Sequence, residues 1–213
     1  MAGNSTNRFG GNALLLGGIL FTLAVVFHPD VTTLEGAKAA NVGVWAFVHW
    51  AYLIGDLFLI AGLLTLYRYL AVGANGGWSA VAFAGGMTGF LVDAATTGNH
   101  MFSFPPVLAA STPNMQGIFD TVTVVNNGIG GAGVICQYIG LAVLGYVLIK
   151  EGWKSPVALG AMAIGVLELL LTIYNSVTGT YPIPAGVPTI VVNALSPLAY
   201  AYVGWSFAKS SSA

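Results

Sequence analysis

The chain has 213 residues, 56% of them hydrophobic and only 6% charged, with a mean hydropathy of +0.82. Soluble domains carry about a quarter charged residues, so composition excludes a soluble globular fold and marks an integral membrane protein, one bundle over residues 1–213 with no room for a separate soluble domain. A net charge of −1 offers no basic surface for nucleic acid, and the single cysteine, Cys136, excludes an intramolecular disulfide, a CxxC redox pair and a zinc ribbon.

The N-terminal MAGNSTNRFGGN followed by ALLLGGILFTLAVVF has the basic residue and apolar core of a signal peptide. No small-residue cleavage site stands out before His28, so this stretch reads as a retained first helix, about 12–27. It stops at His28-Pro29-Asp30, because the residue before a proline disfavours helix. A polar loop with Asp30, Glu35 and Lys38 leads to the second helix, about 43–69. There His49 and Asp56 lie seven residues apart, on one face and about 10 Å apart along the axis, a face shared with Trp45 and Tyr52. The third helix, about 78–98, contains Asp93. The longest connection follows, NHMFSFPPVLAASTPNMQGIFD. Its Phe102, Phe104 and Pro105-Pro106 predict a segment lying along the membrane surface. The fourth helix spans about 121–149. The fifth spans about 155–177, opened by Ser155 as N-cap and Pro156 at the first helical position. After the stiff loop TGTYPIPAGV the sixth runs over about 188–208, with Pro197 as a kink.

The expected fold is all-α: a polytopic, multi-pass protein of the cell membrane with six transmembrane helices and both termini cytoplasmic. With the N-terminus inside, Arg8, Arg68, Lys150, Lys154 and Lys209 are cytoplasmic and only Lys38 is outside, which follows the positive-inside rule. Gly85 with Gly89 and Ala161 with Gly165 are small-xxx-small pairs that let helix backbones approach. A faint repeat relates GGWSAVAFAGG to GWKSPVALGA; Asp93 follows Trp78, and Glu168 follows Trp153, by the same fifteen residues.

Counting depth along the helices puts His49, Asp93, Glu168, Asn127 and Asn193 in one band below the outer surface, with Asp56 deeper, His100 on the face of Asp93 and His28 at the mouth. Ionisable groups in a span face a protein interior or a wet cavity. Imidazole and carboxylate together suit a transition metal such as zinc, iron or copper. The candidate ligands are therefore His49, Asp93, Glu168, His100 and His28, and His49 with His100 form the candidate pair for haem b. A proton- or cation-coupled carrier using Asp56, Asp93, Glu168 and His49 is a further reading. So is a non-catalytic subunit of a larger membrane complex, docked through Phe102, Phe104 and Tyr181. The expected partners are the lipid bilayer and either a second copy or other membrane subunits.

An apolar first helix ending in His28-Pro29, a second helix with Trp45 and His49, and Asp93 late in the third together form a pattern that resembles uncharacterised bacterial six-helix integral membrane proteins. The resemblance spans most of the chain and implies six helices and no particular chemistry. The HxxxH of membrane hydrolases of the ceramidase type is missing, so their zinc chemistry is not carried over.

Overall fold

The computed structural model describes residues 2–29, 33–109, 113–153, 155–180, 182–183 and 187–210, with the backbone alone described at 2–4, 102–109 and 155. The described residues form helices and no strand: α1 (Ala2–Phe27), α2 (Leu34–Ala39), α3 (Val42–Leu70), α4 (Gly76–Ala109), α5 (Met115–Lys150), α6 (Ser155–Thr178) and α7 (Val187–Ser210). All but α2 are long and apolar enough to cross a membrane. The chain is a multi-pass membrane protein.

Local chemistry sets the ends. α1 stops at Phe27, immediately before His28-Pro29. Asn41 caps α3, its Oδ1 accepting from the backbone N–H of Gly43 (2.9 Å) and Val44 (3.1 Å). Gly152, at φ 76°, turns the chain after α5 so that the Trp153 N–H reaches the Leu148 carbonyl at 2.9 Å, the wrap that finishes many helices. α6 begins at Ser155, with Pro156 in its first turn, where the missing N–H costs no helical bond.

Three bounds differ from the sequence expectation, and one short helix is added. α1 begins ten residues earlier than expected, at Ala2. α4 does not end near residue 98 but runs on to Ala109, through Pro105-Pro106. Nothing between Asn99 and Phe104 breaks a helix, and Asn99 is held against α5; the segment expected to lie on the membrane surface is therefore helix. α5 begins six residues earlier than expected, at Met115. The short α2 was not foreseen. Thr33 caps it by accepting from the Gly36 N–H at 3.0 Å, Glu35 and Lys38 suit its two ends, and Leu34 and Ala37 pack on Trp45, Met115 and Phe119. That cluster is also why α5 gains its extra turn. Asp30, Lys154 and Tyr181 lie outside the described residues, as do the side chains of Phe102 and Phe104.

The six long helices form a ring in the order α1, α3, α4, α5, α6, α7, and α7 returns to α1. The seam between α6 and α7 is the least extensive. The start of α1 and the end of α7, with Arg8, Arg68, Lys150 and Lys209, fall at one end of the ring, here the terminal end; His28, α2 and the starts of α3 and α5 form the far end. The terminal half is packed at its centre, and a cleft of about 650 Å³ opens at its rim beside α6 and α7, lined by Trp153, Val157, Tyr202, Trp205 and Lys209. Leu59, Leu63, Leu66, Phe90, Leu141, Leu144, Val203 and Phe207 belong to one buried cluster, and Phe90 meets Tyr200 edge-on at 5.2 Å. Helices there approach to backbone contact. A Cβ on Gly140 would strike the Gly86 backbone nitrogen, and one on Gly165 would sit 2.8 Å from the Tyr138 carbonyl oxygen. Both expected small-residue pairs lie in such crossings: Gly85 and Gly89 face α5, as does Gly165, with Ala161 buried beside it. Outward-facing Leu16, Leu57, Leu91 and Leu170 are exposed, as lipid-facing side chains are.

Candidate functional site

A cavity of about 640 Å³ opens in the far half of the ring. Its size is that of a small-molecule site. Every helix of the ring contributes to its wall: Phe21 from α1, Tyr52 from α3, Asp93 and Thr97 from α4, Asn126 and Gln137 from α5, Thr172 and Asn175 from α6, Asn193 and Ser196 from α7. Among the described residues the lining holds no lysine or arginine.

All three histidines of the chain meet in this cavity. His28 follows the end of α1, His49 sits two turns into α3, and His100 lies on the part of α4 that was expected to be loop. The ring centroids of His28 and His49 are 5.4 Å apart, and those of His49 and His100 5.9 Å. Trp45 covers His49 at 4.1 Å. His49 is only 1% exposed. Its Nδ1 donates to the Trp45 carbonyl at 2.8 Å, and His28 Nδ1 donates to the Pro29 carbonyl at 2.8 Å. A carbonyl oxygen only accepts, so each bond fixes the proton on Nδ1 and leaves Nε2 with its lone pair when the ring is neutral.

Below the imidazoles stands Tyr52, 6.1 Å from His28 and 6.5 Å from His49 between ring centroids. It lies within electrostatic reach of both Asp93 and Asp56. Those two carboxyl groups face one another at hydrogen-bonding range. Asp56 is 0% exposed, and neither of its oxygens finds a donor among the described residues; the same holds for Asp93 Oδ2. Ionised carboxylates only accept. The contact therefore becomes a hydrogen bond when one proton resides on the pair, and two bare charges side by side in an apolar ring are strongly disfavoured.

The single His–carboxylate centre expected from the sequence is not formed. Among the described residues no three His, Cys, Asp or Glu side chains are disposed to hold a metal ion. Each group has taken a nearer partner. Asp93 is paired with Asp56, which counting depth along the helix had set apart from the layer. His49 turns to the other two histidines and to its own helix backbone. Glu168, 1% exposed, lies behind the wall beside Tyr138, with Oε1 lacking a partner. Asn127 and Asn193 line the cavity but are exposed rather than buried. The buried carboxamide is the neighbouring Asn126, whose Oδ1 accepts from Asn99 Nδ2 at 2.7 Å. Sequence reasoning also missed Gln137 and Ser196, joined by a long contact of 3.4 Å at the cavity floor. A polar residue one turn from GGAG in an apolar run was the available signal for Gln137.

The arrangement can do two things chemically. It can hand a proton from far-side water past imidazoles and a phenol to a buried acid pair, and it can surround a small solute with carboxamides, hydroxyls and aromatic faces. No protein-family model, curated protein or solved structure matches this chain, so its function is argued from this geometry alone.

Proposed function

We propose that the protein is a proton-linked carrier of the cell membrane, with its solute cavity open at the far, extracytoplasmic end and sealed at the cytoplasmic one. One observation carries the reading: titratable groups line up from the mouth to mid-membrane, His28, His49 and Tyr52 leading to the Asp93–Asp56 pair, along a cavity that stops at an apolar plug. Chains of His and acidic residues inside spans are the usual means of moving protons. The pair that already shares one proton carries a single negative charge; loading a second proton removes it, and a neutral centre crosses the apolar plug far more readily than a charged one.

The test is transport by protein reconstituted in liposomes under an inward proton gradient, with a defined mixture of sugars, amino acids, amines and carboxylates outside and mass spectrometry of the lumen. At least one solute class accumulates, and accumulation falls at least tenfold in Asp93→Asn and Asp56→Asn. Accumulation that survives both substitutions, or none in the native protein, removes the proposal.

A second reading is metal binding by the histidines. It is favoured by their gathering at one place and by the Nδ1 bonds of His28 and His49, the arrangement by which metal-ligating imidazoles are oriented. Zinc, iron or copper would require the rings to turn toward a common point. Elemental analysis and the visible spectrum of the purified protein check this reading and the haem b alternative together. Stoichiometric metal, lost in His49→Ala, supports it.

A further inference from the structure

The cavity wall leaves two polar atoms unsatisfied, and they are of opposite kinds. Asn126, 3% exposed, has a buried Nδ2 donor with no partner among the described residues, because its Oδ1 is the atom engaged by Asn99. Asp93 has a buried Oδ2 acceptor in the same position of need. Both line the cavity. Asn99, bonded to Asn126, is six residues beyond Asp93 on α4, about 9 Å along that helix, so Asn126 sits about two turns nearer the far end than Asp93. A buried donor or acceptor left open is costly, and a ligand toward which both side chains turn recovers that cost.

From this we infer that the carried solute is a neutral polyhydroxylated molecule. The inference rests on the carrier reading above and names its solute. A hydroxyl both donates and accepts, so one molecule with hydroxyls around its frame gives a hydrogen to Asp93 Oδ2 and takes one from Asn126 Nδ2. The rest of the wall fits the same chemistry. Asn127, Asn175, Asn193 and Gln137 are carboxamides, which likewise donate and accept, and Phe21 and Tyr52 present ring faces for C–H surfaces. An anion finds no lysine or arginine in the lining. A cation meets one carboxyl in the described lining, Asp93, in a wall otherwise made of amides, hydroxyls, imidazoles and apolar groups.

The experiment is equilibrium binding to the purified full chain of three radiolabelled probes of similar size: myo-inositol for a neutral polyol, choline for a cation and lactate for an anion. Saturable myo-inositol binding is expected, at least tenfold tighter than either charged probe. Asn126→Asp, which keeps the shape and replaces the donor by an acceptor, weakens it about tenfold, while a substitution outside the wall, Leu170→Ala on the lipid face, leaves it unchanged. Thermal melting of each variant confirms that it is folded. Tighter binding of choline or lactate, myo-inositol binding indifferent to Asn126→Asp, or no saturable binding of any probe overturns the inference. The two proposals fail separately. Myo-inositol binding that persists without proton-driven accumulation sinks the coupling and keeps the solute class. Proton-driven accumulation of amines or carboxylates alone does the reverse.

Discussion

The two halves of the helix ring are built from the same six helices to opposite ends. In the terminal half, glycines bring backbones together and leucines, valines and aromatic rings fill what remains. In the far half, Gly131 of α5 lines the cavity and a Cβ on it would meet nothing within 4 Å; one on the exposed Gly128 would likewise meet nothing. One helix thus carries close-packing glycines toward Lys150 and unpacked ones toward Met115. The difference teaches that glycine here does two jobs. It permits close approach where the ring is sealed, and it leaves room where the ring is hollow.

That contrast can be broken most severely in the sealed half. Gly140→Leu drives a side chain into the backbone of α4 and is expected to abolish folding, seen as loss of the monodisperse peak in size-exclusion chromatography; even Gly140→Ala should cost about 3 kcal/mol or more. Leu141→Ala, at a fully buried site in the same half, is expected to cost about 2–5 kcal/mol, read from thermal or denaturant unfolding. Asp56→Asn sharpens the comparison from the other side. Stability should stay within about 1 kcal/mol, since the amide can donate to Asp93, while proton-linked accumulation falls at least tenfold. Cysteine labelling reads the halves directly: in a Cys136→Ser background, Asn193→Cys reacts with a membrane-impermeant maleimide and Leu63→Cys does not. The smallest effect belongs to Gly128→Ala, which removes backbone freedom without a clash and should stabilise by about 0.4–1 kcal/mol.

Much of this fold is legible in the chain. Six apolar runs of spanning length, the His28-Pro29 stop, the Ser155-Pro156 start and the basic residues gathered at one end are local signals. The long reach of α4 is not local. Asn99 and His100 belong to a polar string that reads as loop until α5 and the other histidines are there to receive it. The site was legible as a set of residues more than as a geometry. All the histidines and acids singled out from the sequence lie at or beside the cavity, yet counting 1.5 Å per residue fixes height and leaves azimuth open. Neighbouring residues point about 100° apart on a helix, which is why Asn127 was chosen where Asn126 is the buried one. The Asp56–Asp93 pair depends on how α3 and α4 are shifted against each other, and no pattern within either helix encodes that shift.

The length of α4 and α5 has a consequence for approach. At 34 and 36 residues they measure about 51 and 54 Å, against a hydrocarbon core of about 30 Å. Their surplus rises from the far end as a parapet on one flank, while α6 and α7, at 24 residues each, form a low sill on the other. An antibody fragment gripping the parapet at exposed Gln116 and Asp120 would leave the doorway clear. One laid across the sill at Thr178 and Val187 would stopper it.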